Sequence, residues 1–272
     1  MPLPDGEEVI VDERAYAGLR WLERGEGEPV LLLHGLMGTM HHWDEVLDGL
    51  TTSCRALAPA LPIFDPAFEY TSVQALAAHV RRFMDALGLE RAVVGGNSLG
   101  GHVAVRLALA SPERVSGLVL TGSSGLFERS FTRGMPHRAG AAFVREKMEE
   151  IFYDRALVTP EWVDSVCRTL AEPATALRAL RFARAARRDN VEGRLGEITA
   201  PTLVVWGADD RITPPAVAER FLSRISDSQL VFLRRCGHAP MLEQPQAFAA
   251  ILRAWLEDTR ARSGAAPAKG NR

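Results

Sequence analysis

Hydrophobic and polar positions follow two rhythms along this chain, and the two take turns. Residues 29–33 (PVLLL) are apolar without interruption, as a strand buried on both faces is. Residues 71–87 instead space Val73, Leu76, Val80 and Phe83 three or four apart, which gives a helix one apolar side. The same reading predicts strands over 91–94, 115–120, 201–206 and 229–233, and helices over 101–110, 215–225 and 246–259. Near the start, residues 8–12 and 16–24 read as a hairpin, and 55–61 as a further strand. Strand and helix in alternation predict an α/β fold, a mostly parallel sheet with helices on both faces.

One interval breaks the alternation. Residues 125–196 carry helical patterns only, over 138–153, 160–171 and 174–188. Strand signals of the same character resume afterwards, so the interval reads as a helical insertion rather than a second domain. The expected division is a core of 1–124 with 197–262 and an inserted unit of 125–196. The tail, residues 263–272 (SGAAPAKGNR), is small and polar and is expected to be disordered.

Composition narrows the function classes. The chain has 272 residues, 47% of them hydrophobic, and a formal net charge of −2, which fits a soluble domain and speaks against a general nucleic-acid binder. Cys54, Cys167 and Cys236 are odd in number and show no CxxC spacing, so a disulfide framework or zinc site is not expected. There is no signal-like leader and no apolar run of membrane length, so the expectation is a cytoplasmic protein without a membrane span. No G-x-G-x-x-G follows a strand, and no cofactor is expected. Adjacent His41 and His42 do not share a helix face, which weighs against a metal pair.

The chemistry gathers at VVGGNSLGG, residues 93–101, where a strand signal meets a helix signal. Gly96-Asn97-Ser98-Leu99-Gly100 fits G-x-S-x-G in that setting. A serine on so tight a turn is exposed beside free helix N–H groups, and side chains two positions away would collide with the turn. A serine hydroxyl needs a base, and the base needs a carboxylate. His102 lies one turn into the same helix and His137 opens the insertion, whereas His238 follows a strand in Arg235-Cys236-Gly237-His238-Ala239-Pro240. His238 is therefore the expected base. The acid is expected in the Asp209-Asp210 pair after the strand at 201–206, of which at most one carboxylate can reach the histidine.

These residues resemble the α/β-hydrolase fold superfamily over roughly residues 30–257. The W-G-x-x-D-x-x-x-P pattern of that superfamily places the acid at Asp210, and Gly237-His238-Ala239-Pro240-Met241-Leu242-Glu243-Gln244-Pro245 matches its histidine motif. The resemblance implies an eight-stranded sheet, an inserted helical lid, and a catalytic triad of Ser98, Asp210 and His238. It implies an oxyanion hole made by the N–H groups of Leu36 and Leu99, with His34 in a structural role. Asn97, Met37, Arg181 and Ala239 are the candidate substrate contacts. Most of Phe127, Phe131, Phe143, Phe152, Trp162 and Phe182 are expected to pack within the lid. Arg178, Arg181, Arg184 and Arg188 share one broad helix face, read as a solvated face or as the source of one carboxylate-binding arginine. The glycine loop common in relatives after the second parallel strand is replaced by Ala58-Pro59-Ala60-Leu61-Pro62-Ile63-Phe64-Asp65-Pro66.

Three functions fit. The first is a serine hydrolase of small to medium carboxylic esters acting through an acyl-enzyme. The second is a carbon–carbon bond hydrolase similar to those acting on meta-cleavage products, favoured by Asn97 and the lid arginines; a lyase of the menaquinone-pathway type uses the same triad. Ala239 weighs against the second, because such enzymes commonly carry tryptophan there. The third is a ligand-binding receptor with little turnover. Serine at the turn, rather than aspartate, disfavours haloalkane dehalogenation.

Overall fold

The computed structural model describes residues 9–10, 20–127 and 140–264. The first strands are β1 (Val9–Ile10), β2 (Arg20–Arg24), β3 (Pro29–Leu33) and β4 (Arg55–Pro59), with the short helix α1 (Asp44–Asp48) between the last two. There follow α2 (Val73–Ala86), β5 (Ala92–Asn97), α3 (Leu99–Ala110) and β6 (Val115–Thr121). Three helices come next, α4 (Ala141–Glu149), α5 (Pro160–Ala171) and α6 (Pro173–Arg188). The chain ends with β7 (Thr202–Gly207), α7 (Pro215–Arg224), β8 (Ser228–Leu233), α8 (Pro240–Glu243) and α9 (Pro245–Arg262).

The strands form one eight-stranded sheet in the order β1-β2-β4-β3-β5-β6-β7-β8. The pairs β1–β2 and β2–β4 are antiparallel, and every other pair is parallel. Of the expected hairpin, Val9 and Ile10 pair with Trp21 and Arg20. The rest of its first arm, like the tail from residue 265, lies outside the described residues.

Alternation within β3 explains its unbroken apolar run. Leu31 and Leu33 join the core on one face with α2, α3 and α7, while Val30 and Leu32 join the core on the other with α1 and α9. All four are fully buried, and each contributes roughly 1.5–3 kcal/mol by leaving water. Helix α2 buries the predicted Val73, Leu76, Val80 and Phe83, and Ser72 caps it by accepting a hydrogen bond from Ala75 N at 3.1 Å. Trp255 of α9 reaches the sheet where Gly117 leaves room, since a Cβ there would lie 2.7 Å from its ring.

Between β6 and β7 the described residues form helices and no strand, with α4 against α5, α5 against α6, and α6 against α2. Arg178 of α6 donates to the carbonyls of Ile63 and Phe68, which fastens the helix to the loop that replaces the glycine loop. No helix among the described residues is long and apolar enough to cross a membrane.

Candidate active site

The turn from β5 into α3 holds Ser98 at φ 55°, ψ −117°. It and Arg235 are the two non-glycine residues with positive φ among those described. Such a backbone costs about 1–3 kcal/mol and persists only when its surroundings fix it. Here Ser98 N donates to Thr121 O at 3.1 Å, and Ser98 O accepts from His102 N and Ser124 N, each at 3.1 Å. The flanking glycines are steric necessities. A Cβ on Gly96 would lie 2.5 Å from Gly100 C, and one on Gly100 would strike the carbonyl of Leu33.

His238 arrives on the loop after β8. Its Nδ1 lies 2.9 Å from Asp210 Oδ2, and both side chains are buried. A carboxylate facing Nδ1 makes that nitrogen the donor and leaves Nε2 as the basic one. Asp210 is itself fixed. Its Oδ1 accepts from Ile212 N at 2.8 Å and Thr213 N at 2.9 Å, and its Oδ2 accepts from Thr213 Oγ1 at 2.8 Å. Asp209 is exposed, and its backbone N donates to Cys236 O at 2.9 Å.

Ser98, His238, Leu36, Leu99, Met37, Asn97 and Ala239 all line one cavity of about 220 Å³. Leu99 opens α3, so its N–H has no partner within the helix. The loop carrying Leu36 is held by His34, whose Nδ1 donates to Gly35 O at 2.8 Å while Nε2 accepts from Leu61 N at 2.9 Å. Burial pushes the His34 pKa down to about 4, so the ring stays neutral as this bonding requires.

Of the candidate contacts, Arg181 is placed differently from the sequence expectation, and the Asn97 amide is engaged elsewhere. Asn97 lines the cavity, but its amide donates to Thr121 O at 3.2 Å and His238 O at 2.8 Å, which ties the serine strand to the histidine loop. Arg181 is exposed and not part of the lining; Arg187 is the arginine of α6 that lines it. The stripe Ala179, Phe182, Ala183 and Ala186 faces the cavity, and Arg187, four residues after Ala183, flanks it. Helical geometry applied to this stripe would have picked Arg187 over Arg181.

The aromatic residues also differ from expectation. Phe143, Phe152, Trp162 and Phe182 line the cavity instead of packing only among themselves, and Phe127 is exposed. Phe131 and His137 lie outside the described residues. His102 is buried behind the serine turn, with Nε2 3.2 Å from Asp189 Oδ2 at the end of α6. Burial alone would raise the Asp189 pKa, but His102 and Arg106 outweigh it and hold the carboxyl below its ordinary value.

Glu243 has a role the sequence did not reveal. Its Oε1 accepts from Gly237 N at 2.6 Å and its Oε2 from Tyr153 N at 2.7 Å. His238 N donates to Ile151 O at 2.7 Å beside it. The histidine loop and the segment after α4 are thus clamped together, and burial still pushes the Glu243 carboxyl above its ordinary pKa.

The sequence model of the alpha/beta hydrolase family matches residues 30–251. The chain is 29% identical over 266 residues to the 2-hydroxy-6-oxononadienedioate/2-hydroxy-6-oxononatrienedioate hydrolase of Comamonas testosteroni, covering 88% of this chain and 92% of that one. It is 30% identical over 250 residues to the 2-hydroxy-6-oxo-2,4-heptadienoate hydrolase of Pseudomonas putida, covering 85% and 90%. Among solved structures, an alpha/beta hydrolase enzyme from a sediment metagenome of the Mar Chica lagoon, Morocco, superposes with a TM-score of 0.71 at 33% identity, covering 88% and 95%. The chain belongs to the alpha/beta hydrolase family. It is a hydrolase.

Proposed function

We propose that the protein hydrolyses a carbon–carbon bond in an acidic 2-hydroxy-6-oxo-dienoate, with Ser98 as nucleophile, His238 as base and Asp210 orienting His238. The similarity to two hydrolases of such compounds supports this reading. The observation that carries it is the company Ser98 keeps. The cavity walls are largely apolar, Lys147 on them is paired with Glu150 at 2.6 Å, and Arg187 has no ion-pair partner among the described residues. Arg187 is exposed, which puts it at the solvent end of the lining. Apolar walls suit a conjugated chain, and the guanidinium suits its carboxylate.

The chemistry follows from the 2-oxo tautomer of such a substrate, which has a ketone at C6 and a methylene at C5. Ser98 Oγ adds to C6 while His238 Nε2 takes the hydroxyl proton. The N–H groups of Leu36 and Leu99 hold the resulting oxyanion, each donor accounting for roughly 3 kcal/mol of barrier. Collapse restores the carbonyl and breaks C5–C6. The bonding pair moves from C5 through the C3–C4 double bond to the C2 oxygen, and the proton on His238 passes to the departing dienolate. Water, deprotonated by His238, then releases the acyl group from Ser98 as a carboxylic acid. Asp210 steadies the imidazolium in both halves. In this reading residues 125–196 form a cap over a core of 1–124 and 197–262.

Ester hydrolysis is the second reading. It is favoured by Ala239, a small buried residue of the lining beside His238. The two are separated by kcat/KM for 2-hydroxy-6-oxo-2,4-heptadienoate against p-nitrophenyl acetate, which deliver the same acetyl group to Ser98. A preference for the dienoate of roughly 10-fold or more is expected; ester turnover with no dienoate decay would move the assignment to an esterase.

A further inference from the structure

His42 stands in the same cavity. It belongs to the short turn Met40–Trp43, directly after the loop that carries Leu36. Its neighbour His41 is occupied, with Nδ1 3.1 Å from Asp44 Oδ2. The His42 ring lines the cavity, meets Trp162 of α5 edge-on at 5.7 Å, and has no hydrogen-bond partner among the described residues. It also packs against the glycine loop that lies beside the serine turn. A Cβ on Gly38 would lie 3.1 Å from His42 Nδ1 and 3.2 Å from Gly35 N, and a Cβ on Gly35 would lie 3.3 Å from Ser98 Cβ.

Burial, and then the nearby His34 and His41, push the His42 pKa down to about 4. The ring is therefore neutral near pH 7, with one donor and one acceptor. A polar ring left unpaired among apolar walls is costly, and a ligand oxygen removes that cost. Ser98, His42 and Arg187 line the same cavity. A 2-hydroxy-6-oxo-dienoate has three polar groups to set against them: the C6 ketone, the C2 oxygen and the carboxylate.

We infer that His42 binds the C2 oxygen of the leaving fragment, donating a hydrogen bond where the charge of C5–C6 cleavage collects. The inference rests on the carbon–carbon hydrolase reading and adds a specificity residue to it. No proton leaves His42 in this step; the ring only stabilises the dienolate.

The test compares wild type, His42→Phe and His42→Gln on 2-hydroxy-6-oxo-2,4-heptadienoate and on p-nitrophenyl acetate. Both substrates acetylate Ser98, but only the first has a C2 oxygen. The expected result is a roughly 10-fold or greater fall in the dienoate-to-ester ratio of kcat/KM for His42→Phe, carried by kcat. His42→Gln, which restores a donor, should recover part of it. An unchanged ratio, whether both activities fall together or neither falls, overturns the inference while leaving the parent reading intact. Ester turnover without dienoate turnover in wild type overturns both.

Discussion

Lowering the pH from 7 to 4 should destabilise the fold by about 3 kcal/mol through His34 alone. The ring is buried, its pKa is pushed down to about 4 from an ordinary 6.5, and both nitrogens are used in one tautomer only. Protonating Nε2 would set an N–H against the Leu61 N–H. The unfolded chain takes the proton below about pH 6.5, and the folded chain resists it until about pH 4. Between those values the unfolded state binds more protons, so stability falls as the pH falls. At about 1.4 kcal/mol per pH unit over that interval, the loss is about 3 kcal/mol. Urea unfolding of wild type and His34→Gln at pH 7, 6, 5 and 4 measures it. Carboxylates titrate in both proteins, so the informative quantity is the difference in slope. The variant should be less stable at pH 7 and should lose about 3 kcal/mol less than wild type on reaching pH 4. Parallel curves for the two proteins would refute the assignment of a neutral, doubly bonded His34.

Four other outcomes are expected. Asp210→Asn should lower kcat by about 10⁴-fold, because an amide no longer selects the Nδ1–H tautomer of His238; steady-state kinetics with circular dichroism as a fold check measures it. Asn97→Ala strips the donors from Thr121 O and His238 O and should cost about 1–3 kcal/mol in urea unfolding. Glu243→Ala removes the acceptor shared by Gly237 and Tyr153, and limited proteolysis should then cut faster near residues 150–158 than in wild type. Arg187→Ala should raise KM for the dienoate by roughly 10-fold or more relative to KM for p-nitrophenyl acetate, as expected when a carboxylate loses its guanidinium.

What the sequence made legible was whatever is enforced locally. The strand PVLLL is apolar throughout because both faces of the sheet are covered, and the serine turn announces itself through glycines that backbone contacts require. Asp210 and His238 lie in recognisable loops after strands, and the structure joins Asp210 to His238, which lines one cavity with Ser98. What stayed hidden depends on packing between distant segments. The destination of the Asn97 amide is a carbonyl 141 residues away, and Glu243 reaches a backbone N–H 90 residues upstream. His42 was visible only as one of two adjacent histidines, because a single short turn decides that His41 meets Asp44 while His42 enters the cavity.

In the proposed reaction Ser98 directs cleavage of the C5–C6 bond. The most direct test is product analysis after incubating 2-hydroxy-6-oxo-2,4-heptadienoate with wild type and with Ser98→Ala. Acetate and 2-hydroxypenta-2,4-dienoate are expected in equal amounts from wild type and neither from the variant. Intact dienoate with wild type, or equal product from both proteins, would contradict the proposed reaction.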